Sequence, residues 1–188
     1  VAVLIARDIS KEREQEETLK YLAYHDMLTS LPNRPMFAEQ LELAIQRFDK
    51  EKVPLAVLLL DIDNFKQIND FYGHEIGDKV IIEFGSRISR IVGEHGLVAR
   101  LGGDEFVILV TNFMNKKQLI DMARQINELV KQDIQIQHTH LQITTSIGIS
   151  ICNCETVTAV QILRYADEAL YNVKSLGKNT FSVYGAKL

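Results

Sequence analysis

Four carboxylates in this sequence lie at the ends of apolar runs, in two pairs. Asp104 and Glu105 lie side by side in Arg100-Leu101-Gly102-Gly103-Asp104-Glu105-Phe106, between apolar runs at 97–99 and 106–110. The pattern reads as strand, tight turn, strand. Gly102 and Gly103 let the turn take positive φ and let a bulky group lie against the backbone. Adjacent carboxylates repel each other and hold their charge best beside a cation. Taken alone, this is a solvated hairpin tip, because polar turns are common. Asp61 and Asp63 change that reading. They end the run Leu55-Ala56-Val57-Leu58-Leu59-Leu60, which is apolar without alternation, as in a central strand covered on both faces. An acid ending a buried strand needs its charge compensated. Neighbouring strands lie ~5 Å apart, so Asp61, Asp63, Asp104 and Glu105 could converge on one or two hard cations. Magnesium takes one or two carboxylates, several waters and substrate phosphates, so the site calls for a nucleoside triphosphate. A bound ion would lower the pKa of an attacking hydroxyl and neutralise charge on phosphoryl oxygens.

Lys66, Lys174 and Lys178 are candidates for the outer phosphates, an ammonium acting there as a point charge. By spacing alone they read as a solvated surface. Asn69 and Asp78 form a second pair. A carboxylate accepting from guanine N1–H and its exocyclic amine, beside an amide that donates and accepts, would separate guanine from adenine. Equally, Asp78 reads as the N-cap of the helix that follows it, the commoner role. His74 reads as a structural hydrogen-bonding residue.

The elements that must position these groups follow from the apolar pattern. Residues 1–6 form a β-branched run too short to stand alone, and 11–24 turn helical and charged. The latter reads as a solvated helical linker, a short coiled coil between copies being the other reading. The turn-rich segment 25–35 opens the main domain. A helix is expected over 36–50, then the strand at 55–60, a polar stretch with aromatics at 64–78, and a helix from Gly77-Asp78 to 92. After the hairpin come a helix over 116–131, an alternating strand over 141–151, a helix over 156–176 stopped at Gly177, and an edge strand over 180–184. This order predicts an α+β fold, with a mostly antiparallel central sheet flanked by helices. The expected topology is the ferredoxin-like, palm-type split β-α-β arrangement with an extra hairpin and strand.

At 188 residues the chain suits one well-packed domain with some extension. Its net charge of −4 argues against a general nucleic-acid surface, while leaving room for local cations to meet phosphate. Cys152 and Cys154 are too close for a typical bridge and lack a second pair for zinc, so they read as thiols in a reducing, cytoplasmic compartment. No run approaches the ~18 apolar residues that span a bilayer, although the parent protein is open to membrane association. The first residues carry no charged n-region and no initiator Met, so the chain is expected to begin within a longer protein.

Taken together, these residues resemble the GGDEF family of diguanylate cyclases, whose name is spelled by 102–106. The resemblance spans roughly 24–184 and rests on separated motifs. They are Asp26-Met27-Leu28-Thr29-Ser30-Leu31-Pro32-Asn33-Arg34, Asp61-Ile62-Asp63-Asn64-Phe65-Lys66 through Asn69, Gly73-His74, Gly77-Asp78, Ala166-Asp167-Glu168-Ala169-Leu170-Tyr171, and Lys174 to Asn179. It implies that the main domain, 25–188, joins two GTP molecules into cyclic di-GMP with loss of pyrophosphate. Each 3′-hydroxyl attacks the α-phosphate of the other GTP, and two domains meet face to face as a homodimer.

The resemblance also implies a metal site for Mg²⁺ or Mn²⁺ formed by Asp61, the Ile62 carbonyl, Asp104 and Glu105. Asp104, Glu105 and Lys66 are its catalytic residues, with Asp104 as general base. Asn69 and Asp78 match the guanine contacts, Lys66, Lys174 and Lys178 the phosphate contacts, and Phe65, His74, Gly102 and Gly103 complete the GTP site. The family usually carries Arg at position 178, and Lys there loses the planar fork. An alternative is a non-cyclising GTP-binding module that regulates an adjacent EAL phosphodiesterase.

Many members bind product at an Arg-x-x-Asp element separated from the first glycine by five residues. Those positions are Gly93-Glu94-His95-Gly96 here, so no product-inhibition site is expected. Residues 1–10 resemble the last strand of a PAS sensory domain, with 11–24 as the coupling helix.

Overall fold

The computed structural model describes residues 18–152 and 158–185. The PAS-like strand, most of the linker and Cys154 lie outside the described residues. Residues 18–24 are helical, as expected of the linker's end. The main domain then runs α1 (Arg34–Glu51), β1 (Ala56–Ile62), α2 (Phe65–Tyr72), α3 (His74–Val92), β2 (Gly96–Gly102) and β3 (Glu105–Val110). It continues with α4 (Lys116–Val130), β4 (Ile134–Ile136), β5 (Thr139–Leu141), β6 (Thr145–Ile151), α5 (Ala159–Ser175) and β7 (Phe181–Val183). Among the described residues no helix is long and apolar enough to cross a membrane.

The main sheet has the order β2-β3-β1-β6-β7. All its pairings are antiparallel except β6 with β7, which α5 joins as a crossover. β3 lies between β1 and β2, so the β1-helix-β2 unit is split as the sequence predicts. β1 is central and covered on both faces. Leu58, Leu60 and Ile62 enter the core under α3 and α4, while Leu55 and Val57 enter the core under α1 and α5. β3 does the same, with Phe106 and Ile108 on the first face and Val107 and Leu109 on the second. Burying a Leu or Ile side chain contributes about 2 kcal/mol, so these two strands anchor the site beyond their ends. Phe84 of α3 meets Phe106 edge-on, with ring centroids 4.9 Å apart, which seats the start of β3 beside Glu105. Gly148 of β6 lets α5 approach closely, because a Cβ there would collide with the Ala166 carbonyl and the Leu170 amide.

The helices begin where their caps allow. Asn33 accepts from the Met36 amide at 3.2 Å and starts α1 at Arg34, two residues before the expected 36. Thr158 and Gln161 form a reciprocal capping box at α5, later than the expected 156.

Three expectations need correction. The helix expected from Gly77-Asp78 starts at His74, so Asp78 lies in its second turn and is not its N-cap. The chain instead breaks at Gly73, which closes α2 and opens α3 with φ +83°. The strand expected over 141–151 is two elements. Leu141 pairs with Ile134 in a small hairpin, and β6 begins only at Thr145. The division falls where Thr144 turns to Asp63, its carbonyl accepting from the Asp63 amide and its hydroxyl donating to the carboxylate at 2.6 Å.

Candidate active site

β1 and β3 bring their acids to one end of the sheet. Asp61 pairs directly with Glu105 across the antiparallel ladder, and Asp104 precedes Glu105 at the turn. Gly102 and Gly103 carry φ of +140° and +55°, which accounts for both glycines. The Asp61 side chain is mostly buried, and the Lys174 ammonium of α5 reaches it at 2.7 Å. Burial raises the Asp61 pKa, and the Asp104 and Asp63 charges add to the rise. Together they outweigh the pull of Lys174, so the carboxyl lies above its ordinary value. The Asp104 charge therefore works against the ionised form of Asp61. Glu105 is exposed and stands 3.9 Å from Arg34, a surface pair of small energetic weight.

Asp63 does not join this group. It is 4% exposed and accepts from the Thr144 hydroxyl at 2.6 Å, the Ser146 hydroxyl at 2.7 Å and the Asn179 amide at 2.9 Å. The expected gathering of four acids is therefore not formed: Asp61 and Asp104 feel each other's charge, Glu105 shares their end of the sheet by register, and the carboxylate of Asp63, though its charge reaches Asp61, is occupied by its own donors. Asp63 ties β1 to β6 and to the loop after α5. That loop holds Lys178 and Asn179 at positive φ, and the Lys178 ammonium donates to Asn64 at 2.7 Å. Lys174 and Lys178 are thereby brought to the β1 end, and exposed Lys66 lies in the first turn of α2 close behind Asn64.

Asn69 of α2 is half-buried and Asp78 of α3 exposed, on two helices joined through Gly73. Phe65 packs into the core at 9% exposure and anchors the start of α2. His74 opens α3 on its exposed side, which gives the expected structural bonding role no buried setting.

Composition and spacing alone gave no notice of the grip on the turn. Arg100 donates to both oxygens of Asp26, at 2.9 and 3.1 Å, and places Nε and Nη2 on the Gly103 carbonyl at 3.1 and 2.8 Å. The lead-in loop after the linker is thus fastened to the residue before Asp104. Burial pulls the Asp26 carboxyl up, but the Thr29 and Arg100 hydrogen bonds and the guanidinium charge hold it below its ordinary value. A carboxyl depressed by folding stabilises above its unfolded pKa, and that contribution is lost as pH falls through the lowered value. Asp26→Ala is expected to cost about 2 kcal/mol at neutral pH. The gap in melting temperature from the unmodified protein should narrow as pH drops below the ordinary 3.8. A gap unchanged across thermal melts at pH 7 and pH 3 would remove the carboxylate charge as its source.

Residues 23–180 match the family described as diguanylate cyclase, GGDEF domain. The chain belongs to that family. It is 38% identical over 170 residues to the bifunctional diguanylate cyclase/cyclic di-GMP phosphodiesterase MucR of Pseudomonas aeruginosa, covering 89% of this chain and 24% of that protein. The GGDEF domain of TpbB from the same organism superposes with a TM-score of 0.82 at 34% identity, over 85% of this chain and 94% of that one. The coiled coil and GGDEF domain of DgcB from Caulobacter crescentus, in complex with c-di-GMP, gives a TM-score of 0.88 at 27% identity, over 95% and 94% of the two chains. This chain spans about a quarter of the length of the curated relatives it matches first, at 24%, 23% and 23%.

The donor set of this GGDEF domain suits a hard divalent cation. Among the described residues no three His, Cys, Asp or Glu side chains gather as a metal cluster. Magnesium does not require one, since it uses one or two carboxylates and substrate oxygens. Asp61, raised by burial and by Asp104, is a carboxylate short of positive charge even with Lys174 in contact.

Proposed function

We propose that this domain condenses two GTP molecules into cyclic di-GMP and pyrophosphate, each of two facing copies holding one GTP. The observation that carries the reading is the meeting of Asp61, Asp104 and Lys174 at one sheet end, with Lys178 close by. Asp61, Asp104, Glu105 and the Ile62 carbonyl would hold Mg²⁺ or Mn²⁺, which when bound supplies charge neutralisation at the phosphoryl oxygens and acidifies the 3′-hydroxyl. Asp104 takes the proton from that hydroxyl. Lys66, Lys174 and Lys178 offset the triphosphate charge, and Gly102 and Gly103 let the nucleotide lie against the turn backbone. Asn69 and Asp78 select guanine. Holding the two half-sites face to face contributes much of the rate, by making the attack effectively unimolecular.

The boundaries at 1–10, 11–24 and 25–188 belong to the same proposal, as does a PAS-type sensor that sets how two cyclase domains meet. The second reading is a GTP-binding module that regulates an EAL-type neighbour, favoured by the bifunctional name of MucR and the short span of this chain in it. Incubation with GTP and Mg²⁺ at high protein concentration separates the two. Cyclic dinucleotide and pyrophosphate support the cyclase, while bound and unconverted GTP supports the module.

Product is expected not to inhibit through the segment 93–96. Gly96 pairs with Val110, and a Cβ on the present backbone would meet the Leu109 carbonyl, which supports the expectation. Turnover retained in saturating cyclic di-GMP would agree, and its loss would refute the expectation.

A further inference from the structure

Gly77 lies in the first turns of α3, is buried, and has an unremarkable φ, so backbone conformation does not demand a glycine there. What demands it is a neighbour. A Cβ built on Gly77 would fall on the Asn69 Oδ1 atom of α2, 3.0 Å from Asn69 Cγ and 3.3 Å from Phe65 Cζ. The Asn69 amide therefore lies against the backbone of the residue directly before Asp78. Gly73, the one-residue joint between the helices, folds α2 back onto α3 and makes this approach possible.

We propose that Gly77 is a positioning residue for nucleobase selection, the missing Cβ allowing the Asn69 amide to stand beside Asp78 so that the pair reads one base. The inference rests on the reading that Asn69 and Asp78 contact guanine. Glycine inside a helix is locally unfavourable relative to alanine, so its presence here exchanges helix stability for the placement of the amide. The colliding atom is the end of a flexible side chain. A methyl group at 77 therefore displaces Asn69 while the fold persists.

The test measures GTP and ATP binding to the whole chain carrying Gly77→Ala, Asn69→Ala or both, with melting temperatures for each. Gly77→Ala is expected to weaken GTP binding about tenfold and to reduce the preference for GTP over ATP by a similar factor. In the Asn69→Ala background the same change should leave binding unaltered, because the side chain through which it acts is gone. It should also raise the melting temperature there by more than it does with Asn69 present. Unchanged GTP preference in Gly77→Ala, or effects that add in the double variant, would overturn the positioning role and leave the guanine reading intact. Unchanged binding in Asn69→Ala alone would overturn both. The melting cycle keeps the test decisive if Gly77→Ala folds poorly, since failure of the double variant to recover would also refute the contact.

Discussion

Asp104→Ala is expected to keep GTP binding within a few-fold and to lower turnover by about a thousandfold. Asp104 occupies the turn between β2 and β3, and Arg100 holds the carbonyl of the preceding residue with two donors. On the proposed reading a group fixed in this way serves proton transfer and shares the cation with Asp61 and Glu105, while Lys66, Lys174, Lys178, Asn69 and Asp78 supply most of the nucleotide affinity. On that reading, removing the carboxylate leaves these contacts standing, costs the cation one of its ligands and takes away the acceptor for the 3′-hydroxyl proton. It also relieves the repulsion on Asp61. Pyrophosphate release read beside a GTP binding isotherm gives both quantities. Full turnover in the variant would overturn the assignment of Asp104 as base, and lost binding with lost turnover would make it a substrate ligand.

Asp63→Ala is expected to be the more damaging change to the fold. Its carboxylate receives two hydroxyls and one backbone amide in a nearly dry setting. Truncation strands all three donors, and each buried unsatisfied group costs about 1–3 kcal/mol. Partial relaxation leaves an expected loss of about 3 kcal/mol, or a melting temperature lower by about 10 °C for a domain of this size. Because Asn179 is one of the donors, the loop carrying Lys178 should loosen and GTP affinity fall with stability. Urea unfolding and GTP titration of the variant measure the two effects. Stability equal to that of the unmodified protein would show that Asp63 does not fasten the loop.

The apolar pattern made the sheet legible because burial on both faces leaves a mark in sequence. A run such as 55–60 without a polar break has no comfortable place outside a sheet centre. The acids at 61 and 104–105 were legible for the converse reason, since carboxylates at buried strand ends need an external cause. Asp63 misled because nothing local distinguishes a carboxylate that awaits a cation from one satisfied by Thr144 and Ser146, more than eighty residues on. The start of α3 was misplaced because two glycines lie close together. Gly73 breaks the helix by its positive φ, whereas Gly77 is there to admit Asn69 and stays helical. The break before β6 depends on the same Asp63–Thr144 contact and carries no signal of its own. The ion pair of Asp26 with Arg100 spans 74 positions, a distance over which periodicity and turn chemistry are silent.

The Lys174 contact with Asp61 means that the proposed cation site already contains a counter-charge. On the proposed reading a cation arriving there would displace an ammonium, so its measured affinity would be the balance of an exchange and not the strength of one attraction. The displaced ammonium is released at the moment a polyphosphate needs it. Because the cation frees Lys174 for the phosphates and the phosphates draw Lys174 from Asp61, cation and nucleotide should each tighten the other's binding, by the same factor in both directions as linkage requires.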